Sequence, residues 1–194
     1  MGYKKMEVIL RSITESDLED IMRWRMDKEI TRYMNTDPQL TYDGQLKWLA
    51  SVRLNDDVRY WLIEVGGEPA GVISINGILN PNGHVAWAYY IGEKRLRSMK
   101  TALSLEMSLY DYVFGVLHKE ALDGDIFTLN RGVIQLHLLC GSKIVEEKKN
   151  HICKGGIYYD VTFMRMTARN WEELRHIKKY EKIEFPEPER TKKE

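Results

Sequence analysis

Four cations crowd into eight residues, Glu93-Lys94-Arg95-Leu96-Arg97-Ser98-Met99-Lys100, between an aromatic run, Trp87-Ala88-Tyr89-Tyr90-Ile91-Gly92, and an amphipathic run that begins at Thr101. The pattern reads as a strand, a basic loop and a helix. A helix start presents backbone N–H groups without intrahelical partners and a partial positive charge, so it attracts anions. Lys94, Arg95, Arg97 and Lys100 add full charges to that position. A strand feeding such a loop can hold a phosphate-bearing ligand with its reactive end alongside the strand. The second candidate for chemistry is His137, within the run Asn130 to Gly141. An imidazole, with an ordinary pKa of about 6.5, gives or takes a proton near neutrality. Val133, Leu136, His137 and Cys140 share one helical spacing, so a packed, hydrogen-bonded histidine on an apolar face is an equal alternative from sequence.

These residues need elements to hold them. Glu7 to Ile13 reads as a strand, and Thr14-Glu15-Ser16-Asp17 as a cap opening a helix through Met26. A second helix spans Asp43 to Leu54. Strands Arg59 to Val65, Pro69 to Ile78 and His84 to Ile91 follow, joined at Gly66-Gly67 and Asn80-Pro81-Asn82-Gly83 as a meander. Met99, Leu103, Met107, Tyr110, Phe114 and Leu117 mark a long helix with one buried face. A strand from Asp123 to Leu129 leads to a helix capped by Asn130 and ended by Gly141. Lys143 to Cys153 and Ile157 to Met166 close as a hairpin through Gly155-Gly156, and Asn170 caps a last helix. The order β-α-α-β-β-β-α-β-α-β-β predicts an α/β fold, a mixed, mostly antiparallel central sheet with helices on both faces.

The 194 residues suffice for one domain, placed at 1–183, with 184–194 read as a charged, flexible tail. Formal net charge is zero, which argues against nucleic acid as a partner. The two cysteines, Cys140 and Cys153, form no framework, and Met1 to Glu7 lacks an apolar leader, so a cytoplasmic setting without membrane contact is expected. The five histidines show no pair at ligand spacing, so no metal site is expected.

Over roughly Glu7 to Met166, the element order and three windows resemble the GNAT superfamily of acetyl-CoA-dependent N-acetyltransferases. In that family the central strand ends in a loop of type Gln/Arg-x-x-Gly-x-Gly/Ala whose N–H groups hold the pyrophosphate of coenzyme A. The matching window is Arg97-Ser98-Met99-Lys100-Thr101-Ala102, with Lys100 where the central glycine is usual. Glycine lets a backbone approach a phosphate closely; lysine keeps the N–H and offers an ammonium. The resemblance implies acetyl-CoA as co-substrate, held by Tyr90, Ile91 and Arg95, by the loop Arg97, Ser98, Met99, Lys100, Thr101 and Ala102, and by Asn130. The backbone N–H at Tyr89 would polarise the thioester carbonyl.

The second window, Asn130 to Gly141, keeps the family spacing Asn-x-x-Ala-Ile-x-Leu-Tyr-x-x-x-Gly, with His137 at the position of the tyrosine that protonates the leaving thiolate. His137 is therefore the implied acid, and Glu106 and Asp125 are the nearest acidic candidates for a base. The third window, Glu146 to Val161, resembles the ending of a branch that includes amino-sugar and ribosomal-protein acetyltransferases. Trp24-Arg25-Met26, Arg32-Tyr33-Met34-Asn35-Thr36-Asp37, Trp48-Leu49 and the Trp87 to Glu93 strand look like enzymes that acetylate a UDP-linked 4-amino-4,6-dideoxy sugar on the route to pseudaminic acid. That likeness implies substrate contacts from Trp24, Arg25, Met34 and Trp87, and leaves a homodimer open. The rivals are an acetyltransferase for a protein N-terminus or a polyamine, and a GNAT-like binding protein without turnover.

Overall fold

The computed structural model of the protein describes residues 7–190. Its strands are β1 (Val8–Arg11), β2 (Val58–Val65), β3 (Glu68–Asn76), β4 (His84–Ile91), β5 (Ala121–Phe127), β6 (Lys143–Lys154) and β7 (Ile157–Thr167). They form one sheet in the order β1-β2-β3-β4-β5-β7-β6. Every neighbouring pair is antiparallel except β4 and β5, which run parallel. The helices are α1 (Leu18–Met26), α2 (Lys28–Thr31), α3 (Tyr42–Leu54), α4 (Met99–Tyr110), α5 (Arg131–Cys140) and α6 (Ala168–Leu174).

The sheet carries helices on both faces because its central strands are apolar on both sides. Along β2, Trp61, Ile63 and Val65 pack with Leu105, Leu109 and Tyr110 of α4, while Leu62 joins Leu18, Ile21 and Trp24 of α1 and Leu49 of α3. A strand's period of two sends alternate residues to opposite faces, and each apolar face requires its own covering layer. Gly66 and Gly67 turn β2 into β3 at φ 64° and 85°, and Gly155 and Gly156 turn β6 into β7 at φ 58° and 82°. These positive angles are what a two-residue hairpin demands.

Several local expectations change. Thr167, not Asn170, caps α6: its side chain accepts from the Asn170 N–H at 3.2 Å. A short α2 follows α1, capped by Asp27, which accepts from the Glu29 N–H at 2.8 Å. The long helix widens to a π-helical stretch at Asp111–Val116. It also lacks the single buried face read from its periodicity: Ser104 through Tyr110 are all buried, and Met99 is exposed.

The C-terminal segment explains that burial. Ile183 and Phe185 lie in the core, and the Ile183 N–H donates to Ser108 Oγ at 2.9 Å on the outward side of α4. Trp61 Nε1 donates to the Pro186 carbonyl at 2.7 Å, and the Phe185 ring meets Trp61 edge-on at 5.1 Å. Residues 184–190, read from composition as a flexible tail, thus form a strap over α4 and β2, anchored by two apolar side chains among the charges. Residues 191–194 of that tail, and residues 1–6 of the segment Met1 to Glu7, lie outside the described residues. Phe185→Ala is expected to lower the unfolding free energy by about 3 kcal/mol, measured by urea titration; a frayed tail would give a change near zero.

Candidate functional site

β4 and β5 stay together briefly. His84, Val85 and Ala86 pair with Ala121, Leu122 and Asp123, and past that register the strands part. β4 continues to Ile91 with only β3 beside it. On the β3 side, the Gly92 N–H donates to the Ala70 carbonyl at 2.7 Å and the Ala88 carbonyl accepts from Ser74 Oγ at 3.4 Å. Backbone groups alternate in direction along a strand, so Ala88, Tyr90 and Gly92 face β3, and Trp87, Tyr89 and Ile91 face the opening. The three strand contacts expected from sequence are therefore not equivalent. Tyr89 and Ile91 offer N–H groups to the gap; the backbone of Tyr90 is committed to β3, and only its side chain reaches the site.

A cavity of about 530 Å³ lies at this opening. Trp87, Tyr89 and Tyr90 line it from β4, Gly124, Asp125 and Ile126 from β5, and Asn130, Val133 and His137 from the start and body of α5. Ile21, Arg25, Met34, Trp48 and Tyr60 line it from the α1–α3 side. Residues from both faces of the sheet share one space because the strands between them have separated. Asn130 sits at the N-cap of α5 without a side-chain capping bond, so its amide is left to the cavity.

Of the four expected substrate residues, Arg25, Met34 and Trp87 line the cavity. Trp24 does not. It is 1% exposed, packed with Leu18 and Ile21 at three-residue spacing on the inward face of α1, and its Nε1 donates to Glu93 at 3.0 Å. Arg25 is held by Met34 Sδ through Nη1 and by Thr36 Oγ1 at 3.1 Å through Nη2. Arg25 and Asp125 are the charged lining residues, with His137 beside them. Sequence reading did not single out Tyr60 or Ser74. Strand register alone brings them in, by setting Ser74 opposite both Tyr60 and Ala88.

Behind His137 lies a closed polar cluster. His137 Nδ1 is 2.8 Å from Glu106 Oε2, and Glu106 is fully buried. The Tyr110 hydroxyl donates to Glu106 Oε1 and lies 2.8 Å from Ser142 Oγ. Burial, then the charge of Glu106, pushes the Tyr89 and Tyr110 hydroxyls and the Cys140 thiol above their ordinary values. These three groups stay protonated near neutrality. Trp87 bridges the two sides, stacked on Tyr89 at 5.6 Å and tilted over His137 at 5.2 Å. The sequence signal for Glu106 was a carboxylate on the helical run that carries Leu103, Met107 and Tyr110.

The basic loop lies along the far end of β4, and its cations are already engaged. Lys94 pairs with Glu29, Arg95 with Glu68 and Lys100 Nζ with Glu181 at 2.9 Å. Arg97 Nε donates to the Ile91 carbonyl at 2.9 Å. Ser98 caps α4 by accepting from the Thr101 N–H at 3.0 Å, and the Ala102 N–H reaches the Ser98 carbonyl. The N–H groups of Met99 and Lys100 lie in the first turn, where no intrahelical carbonyl can reach them. An anion here meets backbone donors first and exposed, exchangeable ion pairs second. Lys100→Ala is accordingly expected to change coenzyme A affinity by no more than about fivefold, or ~1 kcal/mol, by calorimetry.

Comparison with known proteins agrees with this geometry. A spermidine N-acetyltransferase from Vibrio cholerae, solved with CoA and spermine, superposes with a TM-score of 0.79 at 17% identity, over 85% of this chain and 98% of that one. The spermidine/spermine N-acetyltransferase SpeG from the same organism, solved with manganese ions, gives 0.71 at 18% identity, over 86% and 96%. A dodecameric structure of the spermidine enzyme in an intermediate state gives 0.71 at 17% identity, over 84% and 95%. At such identities the likeness is one of fold. No curated protein matches by sequence. No helix among the described residues is long and apolar enough to cross a membrane. Residues 7–143 match the family described as acetyltransferase (GNAT) domain, and with most of the chain covered by that match and the parted β4–β5 edge beside it, the protein belongs to the GNAT acetyltransferases.

Proposed function

We propose that the chain acetylates a primary amine with acetyl-CoA, both substrates being bound together, and that the amine is carried on a nucleotide-linked amino sugar. The parted β4–β5 edge, opening into a cavity with His137 in its wall, carries this reading. When bound, acetyl-CoA supplies an activated thioester carbonyl. The Tyr89 and Ile91 N–H groups face the gap, where they suit an extended arm added along β4 or a developing oxyanion. Met99 and Lys100 N–H, with Arg97 beside them, suit a pyrophosphate. A tetrahedral centre at the gap would lie between these donors and His137.

The other half of the cavity supports this acceptor class. Trp48, Tyr60 and Tyr90 offer ring faces to a nucleobase, and Arg25 offers a planar guanidinium to a diphosphate. A UDP-linked 4-amino-4,6-dideoxy sugar on the route to pseudaminic acid is the specific candidate. A second reading, a polyamine acceptor, draws support from the fold shared with spermidine N-acetyltransferases and from Asp125 in the cavity wall. A polycation is best held by several carboxylates, whereas the lining carries one such residue and one arginine.

The test is free-thiol release from acetyl-CoA with the UDP-amino sugar, with spermidine and with an N-terminal peptide. Preference for the sugar nucleotide supports the first reading. A tenfold preference for spermidine moves the assignment to the second. Tight coenzyme A binding by calorimetry with no thiol release from any amine would make the chain a binding protein.

A further inference from the structure

The site holds one buried carboxylate that the scheme above leaves without a role. Glu106 is fully buried on α4, with Oε2 at 2.8 Å from His137 Nδ1 and Oε1 receiving the Tyr110 hydroxyl. A charge so deep persists where donors surround it. Here both oxygens have one, and the Cys140 thiol adds a third. An ionised carboxylate only accepts hydrogen bonds, so with Glu106 ionised the proton on the 2.8 Å contact belongs to Nδ1. The lone pair then resides on Nε2, on a ring that lines the cavity.

We infer that Glu106 is a positioning residue that fixes His137 as a proton acceptor toward the amine, in place of the resting acid implied by the family resemblance. The inference rests on the acetyl-transfer reading. An amine arriving as R–NH3⁺ gives one proton to Nε2, and the imidazolium is stabilised by Glu106 across Nδ1–H. The neutral amine nitrogen attacks the thioester carbon, forming the C–N bond, and the C–S bond breaks with its electron pair on sulfur. The imidazolium returns its proton to the thiolate, and the second nitrogen proton leaves to water. One amide, one thiol and one released proton result, and the histidine ends neutral. A single imidazole thereby does the work of base and acid in turn.

The titratable groups around His137 are few. Glu106 and Tyr110 come from α4, Tyr89 from β4, Asp125 from β5 across the cavity and Cys140 from its own helix, while Lys178 bonds the Leu139 carbonyl behind it. Of these, Glu106 alone is in hydrogen-bond contact with the ring. Removing its charge destabilises the imidazolium formed during transfer, so taking a proton from the amine is disfavoured. The expected consequence is a loss in kcat with KM for acetyl-CoA unchanged.

Imidazole 15N NMR on the full-length protein tests this without turnover, the His137 signals being those lost in His137→Asn. The expected spectrum of the neutral ring has Nδ1 protonated and Nε2 bare. In Glu106→Gln kcat drops by about tenfold or more, and KM for acetyl-CoA is unchanged. A wild-type Nε2–H tautomer would overturn the inference, and that measurement does not depend on Glu106→Gln folding. So would a folded Glu106→Gln protein with wild-type kcat. Absence of thiol release by the wild type with every amine sinks the acetyl-transfer reading instead, and the tautomer is read independently of it.

Discussion

His137→Asn is expected to lower kcat by about 10²- to 10⁴-fold, the range for loss of a positioned proton-transfer group. Asparagine is the informative replacement. Its amide nitrogen falls near the place of Nδ1, so Glu106 keeps a donor, while nothing replaces Nε2. Phenylalanine would strand a fully buried carboxylate, and breaking such a contact costs several kcal/mol. A loss of activity in that variant would report folding as much as chemistry. In the asparagine variant the urea midpoint should change little, and coenzyme A affinity, set at the β4 edge and the first turn of α4, should stay within about threefold. A kcat within threefold of wild type would remove His137 from the chemistry.

Gly71→Ala has the largest expected effect on stability near the site. Gly71 sits opposite Ile91 in the β3–β4 ladder. A Cβ there would collide with the Tyr90 carbonyl oxygen and stand 2.9 Å from Ile91 Cα. Those atoms are backbone of the strand that faces the gap, so neither can swing aside as a side chain could. Either β3 and β4 separate or the ladder slips. Overpacking of this kind costs about 1–3 kcal/mol, and the displaced strand also carries the Tyr89 and Ile91 donors. Urea unfolding should show the destabilisation, and calorimetry a matching loss of coenzyme A affinity. A variant with wild-type stability and affinity would mean that the β4 edge tolerates movement and does not register the ligand.

The two variants probe different layers of one design. The histidine acts at the cavity and leans on a carboxylate from another helix. The glycine acts one strand away, by letting β3 approach β4 closely enough to hold its outer edge straight. The free edge of β4 exists because β5 departs after Ala86, and β5 is free to depart because β7 pairs with it along its whole length, from Ala121 to Phe127.

The sequence by itself determined the elements and their order. Alternation in β2 to β4, paired glycines at both hairpins and apolar spacing in α1 and α5 are local signals, and local signals are written in the chain. It also located the strand, loop and helix of the opening and the His137 helix. Tertiary structure decided the rest. It turned Trp24 into core, because a helix cannot present one residue to both the sheet and the cavity. It paired three of the loop's four cations with carboxylates, because Glu29, Glu68 and Glu181 come from segments remote in sequence. The strap of residues 184–190 was illegible because Ile183 and Phe185 are isolated apolar residues among charges, and only a vacant groove over α4 gives them a partner. The Glu106–His137 contact joins residues on separate helices, and pairing across such a distance is set by packing rather than by any spacing a chain can display.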